Sequence, residues 1–205
     1  MAAQPTPRLS PAEYLEIERA AETRHEYFDG QMFAMAGGSY RQSLIIFNLA
    51  SELRDALKGK PCGVAGQDLR TSVSADGLYA YPDVLVVCGE PRFLDGRGDT
   101  IINPTLIIEV LSPSTEAYDR GLKFAQYRKI ESLQEYMLVS QAEALVEVFR
   151  RRANGEWSYS EVAGLDSVCS LESVECRVAL AEIYAKVTLG EPAGNRLPGG
   201  SGGIE

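Results

Sequence analysis

A mixed α/β fold, with a central β-sheet of mixed direction flanked by helices, is what the chain predicts, and three observations predict it. Two apolar, β-branched runs, YPDVLVV (residues 81–87) and TLIIEVLSPST (105–115), precede a helical stretch and then the strand-like EYMLVS, giving the order βαβ mid-chain. Hairpin-like patterns lie on either side of that unit, so strands of both directions are expected. The 205 residues are 45% apolar and 24% charged, which suits one ordinary soluble domain with its own core.

The elements follow in order. Residues 1–9 hold turn formers and are expected to form a flexible arm. Ser10-Pro11-Ala12-Glu13 is a helix start, with Ser10 as N-cap, Pro11 in the first helical position and Glu13 at the capping-box position; the helix is expected to reach about Glu22. HEYFDGQMFAMA places two short β-prone runs around Asp29-Gly30, a dipeptide favoured in two-residue hairpin turns, with Glu26 on the first run. Gly37-Gly38 breaks the pattern, and Ser39 caps a helix in which Leu44, Ile45, Phe47, Asn48, Leu49, Leu53 and Leu57 recur at helical spacing until Gly59. Residues 64–73 look extended, with Leu69, Thr71 and Val73 alternating against Arg70 and Ser72, and Asp76-Gly77 supplies a turn. A polar, glycine-containing loop, GEPRFLDGRGDTIINP, then separates the two apolar runs. After Ser112-Pro113-Ser114-Thr115 the spacing predicts a helix over about 116–130, with Leu122, Ala125, Tyr127 and Ile130 on its apolar face. EYMLVS, ALVEVFRR and WSYSEV read as further strands and VALAEIYAKV as a short helix. Folded sequence is thus expected over 10–187, and the Gly/Pro-rich 188–205 is expected to be a disordered tail.

The feature that asks for a chemical explanation is an acid inside each apolar run, Asp83 in the first and Glu109 in the second. A carboxylate buried without a partner costs several kcal/mol, roughly, so each must meet a proton, a cationic side chain or a metal ion. If the runs are neighbouring strands the two acids repel unless a cation sits between them. Lys123, on the helix that follows, is one candidate and a divalent metal is the other.

Composition narrows the chemistry. One histidine, His25, cannot build a multi-histidine metal centre, and Cys62, Cys88, Cys169 and Cys176 are scattered without a CxxC pair, so they are expected to be reduced thiols forming neither a zinc site nor disulfides. Any metal bound here is held by oxygen ligands, which suits magnesium or manganese. No apolar run approaches the roughly 18 residues of a membrane span, and MAAQPTPRLSPAEY has no apolar signal core, so no membrane partner and a cytoplasmic location are expected. The net charge of −9 argues against a protein that lives on non-specific phosphate contacts, although a local basic face or a bound divalent ion can reverse the field at one site. Ser112 and Ser114 look like turn and cap residues, since no histidine is placed to activate them. His25 is expected to be satisfied or solvated, and Arg150-Arg151-Arg152 to end a strand in solvent.

HEYFDG, YPDVLVV, IIEVLSPST and DRGLKFAQY, in that order, resemble the Uma-type putative restriction endonuclease family, over about 10–187. The resemblance implies a restriction-endonuclease-like core of the PD-(D/E)XK nuclease superfamily. Asp83 is similar to the family's acid after proline and Glu109 to the acid of its second active strand. The usual motif has lysine two residues after that acid, where this chain has Leu111; Lys123 matches a lysine moved to the next helix. Glu26 resembles the acid of the family's opening strand-turn, and Gln42 stands where the family often has histidine.

What the resemblance implies is hydrolysis of DNA phosphodiesters by a magnesium-dependent endonuclease, with manganese as a substitute. Asp83, Glu109 and the Val110 carbonyl are then the metal ligands, Lys123 orients water or stabilises developing charge, Glu26 acts through a water, and Tyr127 is a supporting residue one helical turn beyond Lys123. Nucleases of this fold commonly pair, so a homodimer is expected, with ALVEVF and EYMLV as possible edges. The alternative, motivated by the acidic total, is a nuclease fold kept as a binding module with a weak or lost active site.

Overall fold

The computed structural model describes residues 8–74 and 77–190. Two sheets and their helices account for most of it. α1 (Pro11–Ala20) begins in the expected capping box, with Ser10 Oγ accepting from the Glu13 amide and the Ser10 amide donating to Glu13 Oε2. β1 (His25–Phe28) and β2 (Gln31–Ala34) form an antiparallel hairpin, and both turn residues, Asp29 and Gly30, have positive φ (48° and 80°), the conformation that the Asp-Gly pair tolerates. Ser39 caps α2 (Tyr40–Ala56) by accepting from the Gln42 amide.

The strands that follow alternate between the sheets. β3 (Cys62–Gly66), β6 (Val84–Cys88), β8 (Leu106–Val110), β9 (Glu135–Val139), β10 (Leu145–Arg151) and β11 (Trp157–Ala163) build the large sheet in the order β11-β10-β9-β8-β6-β3. β4 (Arg70–Ser72), β5 (Tyr79–Ala80) and β7 (Thr100–Ile101) join the first hairpin in the order β2-β1-β5-β4-β7. β12 (Val168–Leu171) and β13 (Cys176–Ala179) pair separately and lead into α5 (Leu180–Ile183). β6 and β8 are antiparallel neighbours and β8 and β9 are parallel, which is the mixed sheet and the βαβ unit that the two apolar runs predict.

The large sheet is buried on both faces, and the alternation of side chains along each strand decides which. Val84, Val86, Ile108, Met137 and Val148 face α2, meeting Ile45, Leu49, Leu53 and Leu57. Leu85, Val87, Ile107, Tyr136 and Leu138 face the other way, onto Tyr127, Ile130 and Leu133 and onto Leu78 and Ile101 of the smaller sheet's side. Each fully buried aliphatic side chain contributes about 1.5–3 kcal/mol. A third cluster, Tyr14, Leu15, Tyr27 and Tyr79, fastens α1 to the small sheet. Tyr81-Pro82-Asp83 is therefore the seam of the molecule, leaving the small sheet at Ala80 and entering the large one at Val84.

Several expectations are corrected. Cys62 and Cys88 face each other across β3 and β6 and form a disulfide, because pairing in register brings widely separated residues into contact; Cys169 and Cys176 are buried free thiols. The helix predicted over 116–130 is three pieces: α3 (Glu116–Tyr118), a π-helical turn at Asp119–Lys123, and α4 (Phe124–Tyr127). Leu122 is exposed rather than on the apolar face, and so is Phe47 of α2, whose place in the core is taken by Ile46. Arg70, which alternates with Thr71 along β4, has its guanidinium buried and donating to Thr100 Oγ1 and Tyr81 Oη. β9 and β10 lie inside the large sheet, and its edges are β3 and β11. Arg150 pairs with Glu135 and Glu172, and Arg151 caps the Arg128, Ile130 and Leu133 carbonyls while stacking on Trp157, so these two arginines hold the fold together.

The termini extend further than the patterns suggest. The Leu9 amide donates to the Gly30 carbonyl, and Leu189 packs on the main core while Gly190 donates to the Ala142 carbonyl. The rest of the arm (1–7), the rest of the tail (191–205) and Asp76 of the Asp76-Gly77 turn lie outside the described residues. Among the described residues no helix is long and apolar enough to cross a membrane.

Cys62 and Cys88 are 26 residues apart, and closing a loop of that size stabilises a fold by about 3 kcal/mol through the unfolded chain. Reduction with a phosphine is expected to lower the melting temperature by roughly 6–12 °C, and Cys88→Ser to reproduce that loss without a reductant. Identical melting curves with and without reductant would show that the bond does not form in solution.

Candidate active site

The two sheets meet where the acidic residues collect. Glu26 comes from β1 of the small sheet, Asp83 from the seam, Glu109 from β8 of the large sheet, and Asp119 and Lys123 from the π-turn that follows. All five are buried; Glu109 is 4% exposed and Lys123 5%. The π-turn is the local irregularity that suits them, since such turns arise where a side chain must be re-aimed and recur at functional sites. Its carbonyl at Asp119 accepts from the buried Tyr136 hydroxyl at 3.1 Å, which ties the turn to β9.

Lys123 Nζ is the centre. It lies 2.9 Å from Glu109 Oε1, 2.9 Å from Glu26 Oε1 and 3.5 Å from Asp119 Oδ1. The rings of Tyr118 and Tyr127 flank it, at 5.8 and 6.0 Å from their centroids. Glu109 Oε1 also accepts from the Tyr127 hydroxyl at 3.1 Å. Asp83 is fixed separately: Oδ2 accepts from the Val110 amide at 2.8 Å and Oδ1 from Gln67 Nε2 at 3.1 Å, while the Asp83 amide reaches Glu109 Oε2 at 3.4 Å. Gln42 Nε2 donates to the Val110 carbonyl at 3.4 Å. Both backbone polar groups of Val110, the residue after the acid of β8, are thus held by side chains.

The electrostatics are unbalanced. Four buried carboxylates, Glu26, Asp83, Glu109 and Asp119, face one ammonium. Burial lifts the Glu109 carboxyl well above the ordinary carboxylate range; the Lys123 charge opposes that, and the charges of Asp119, Asp83 and Glu26 add to it. Asp119 is raised for the same first reason, again against the pull of Lys123. For Lys123 burial acts downward, but Glu109, Glu26 and Asp119 together outweigh it and hold the ammonium well above its usual value. Glu26 Oε1 is buried with no hydrogen bond, having only its ion pair to Lys123.

The donor set fits a small hard cation. Asp83 and Glu109 lie on neighbouring segments, the Asp83 amide reaching the Glu109 carboxylate and the Asp83 carboxylate accepting from the Val110 amide, and every candidate ligand is oxygen. Magnesium binds through one or two carboxylates and keeps several waters, so two acids and a carbonyl are an adequate set. Among the described residues no group of three or more Asp, Glu, His or Cys side chains forms a ready-made metal position, because Lys123 stands between Glu26 and Glu109. Glu26 contacts Lys123 directly.

Asp119 was not singled out from the sequence, yet it lies four residues before Lys123, the spacing at which an acid and a base share a helical face. Gln67 carries no such signal. His25 donates its amide to Glu18 Oε1 and its ring contacts Glu18 Oε2 at 3.0 Å, so it is satisfied by α1. Ser112 accepts from the Thr115 amide and contacts Ser114 and Thr115, as turn residues do. Arg24 pairs with Asp68 rather than Glu26. Behind the seam, Tyr81 Oη donates to Glu18 and accepts from Arg70, which fixes the residue two before Asp83.

The mixed-sheet fold is shared by a solved structure: a putative nuclease belonging to DUF820 from Anabaena variabilis superposes with a TM-score of 0.69 over 86% of this chain and 97% of that one, at 19% identity. The family model described as Uma2, putative restriction endonuclease, matches residues 11–181, and the chain belongs to that family. Two Synechocystis proteins are similar in sequence. Uncharacterized protein slr1290 is 39% identical over 181 residues, 88% of this chain and 93% of its own length; uncharacterized protein sll1609 is 35% identical over 156 residues, 76% and 88% respectively.

Removing the central cation should be costly. Lys123→Met leaves Glu109, Glu26 and Asp119 buried around an apolar group and is expected to reduce stability by about 3–5 kcal/mol, read from the urea midpoint. Adding Glu109→Gln to that variant should recover part of the loss. A Lys123→Met protein as stable as wild type would contradict the described ion pairs.

Proposed function

We propose that the protein is a magnesium-dependent endonuclease, also served by manganese, that hydrolyses the phosphodiester bonds of DNA. The observation that carries this reading is the convergence of Glu26, Glu109, Asp119 and Lys123 beside Asp83, with more buried negative charge than one lysine can neutralise. Asp83, Glu109 and the Val110 carbonyl would hold the ion, which supplies Lewis acidity toward a phosphoryl oxygen and makes a nearby water more acidic.

The chain's own groups do the rest. Asp83 is oriented by the Val110 amide and Gln67, so its carboxylate is preorganised. Enclosed by three carboxylates, Lys123 remains an ammonium, and its part is to stabilise negative charge developing on the phosphoryl oxygens. Glu26 and Asp119 hold Lys123 in place, and Tyr127 holds Glu109. Gln42, in contact with the Val110 carbonyl, positions that carbonyl and supplies no proton or charge of its own. A homodimer acting in the cytoplasm is part of the same proposal, with the exposed edge strand β11 in place of the interior strands for pairing.

A second reading, a nuclease fold retained as a binding module, is favoured by one specific feature: Lys123 already sits between Glu109 and Glu26 in direct contact with both, where a metal would otherwise stand. A plasmid-nicking assay separates the two. With magnesium or manganese the wild type is expected to nick supercoiled DNA, Asp83→Ala to lose at least 100-fold in rate, on the order of the 2.7 kcal/mol or more that one electrostatic catalytic group supplies, and chelation to abolish the reaction. Equal behaviour of wild type and Asp83→Ala would leave only the binding module.

A further inference from the structure

The site opens into a cleft of about 1410 Å³ whose lining carries charges of both signs and exposed aromatic side chains. Phe33 and Tyr40 line it, 48% and 81% exposed, with Met35 and Leu122 beside them, also exposed. The placement of Phe33 follows from register. It is the direct partner of Glu26 across the β1–β2 hairpin, and cross-strand partners project from the same face; since Glu26 reaches Lys123, Phe33 stands over the same site. Tyr40, the first residue of α2, follows the Gly37-Gly38-Ser39 link from the hairpin. Four cations line the cleft, Arg41, Arg120, Lys123 and Lys186; Arg120 and Lys123 are already paired with carboxylates, which leaves Arg41 and Lys186 for a ligand.

Large apolar side chains left in water around a polar floor mark a binding surface. We infer that this rim is a stacking platform for unpaired bases, and that the substrate is DNA with at least two unpaired nucleotides at the scissile position; the inference rests on the nuclease reading of the floor. Three considerations select that occupant. The cleft exceeds the roughly 300–1,000 Å³ of a small-molecule pocket, so a polymer segment fits it better than a metabolite. A net charge of −9 leaves little affinity to gain from counterion release, whereas base stacking on an aromatic face does not depend on net charge. In a duplex the faces of each base are already covered by its neighbours, so Phe33 and Tyr40 find free faces only where pairing is broken. A second copy of this chain would seal the cleft that a substrate must enter.

The test is equilibrium binding by fluorescence anisotropy in EDTA, which reads recognition without cleavage. The probes are a labelled 20-nucleotide oligothymidine, the same strand in a duplex, and an abasic strand of equal length. Wild type is expected to bind the single strand at least ten-fold more tightly than the duplex or the abasic strand. Phe33→Ala and Tyr40→Ala should each weaken single-strand binding by about 5- to 100-fold, as lost stacking does, while Phe33→Tyr and Tyr40→Phe retain it. With two cations available the affinity should fall with salt at a log–log slope of only about −1.4. Equal affinity for single strand and duplex, or alanine variants that bind the single strand like wild type, would overturn the inference, as would alanine variants that alter only the oligomeric state in sedimentation. Nicking of supercoiled plasmid by Tyr40→Ala at the wild-type KM overturns the platform and leaves the nuclease standing. Intact single-strand binding in a protein that nicks nothing does the reverse.

Discussion

The ammonium of Lys123, 2.9 Å from both Glu109 and Glu26, is the interaction on which the arrangement depends. It joins the two sheets at their seam, since Glu26 belongs to the small sheet and Glu109 to the large one. Without it three carboxylates would share a dry space, each costing several kcal/mol, roughly, to keep charged. With it, the space is still short of positive charge, and the proposed cation site rests on that shortage. A fold stabilised only by apolar packing would gain nothing from this cluster, because apolar residues of similar volume serve as well or better in a core.

Much of this was legible in the sequence, for physical reasons. Acids within otherwise apolar β-branched runs conflict with their surroundings, and that conflict marked Asp83 and Glu109. Continuous apolar, β-branched runs gave β6 and β8 as neighbouring buried strands, and the Asp29-Gly30 turn and the Ser10 and Ser39 caps follow from local chemistry alone. Lys123 and Glu26 drew attention through a family resemblance, since a lysine on a helix and an acid on a hairpin carry no local conflict.

What stayed hidden is long-range. Pairing of Cys62 with Cys88 depends on the register of β3 against β6, which no spacing rule supplies. Arg70 alternates with Thr71 along β4, and Tyr81, Thr100 and Asp99 from other segments bury and satisfy it. The π-turn arises because Lys123 and Asp119 must both face Glu109 while Tyr127 and Ile130 pack beneath; helical periodicity assumed a uniform turn and so misplaced Leu122. The exposed Phe47 and Tyr40 show the same limit, as an apolar residue at helical spacing need not find anything to pack against.

The central claim is that the buried excess of carboxylate is a divalent-cation site organised by Asp83 and Glu109. Isothermal titration calorimetry with manganese on the folded, DNA-free protein tests it most directly. The account predicts one site per chain in the wild type, absent in Asp83→Asn and Glu109→Gln variants that melt cooperatively. A wild-type protein that binds no manganese, or an Asp83→Asn variant that binds it equally, would contradict it.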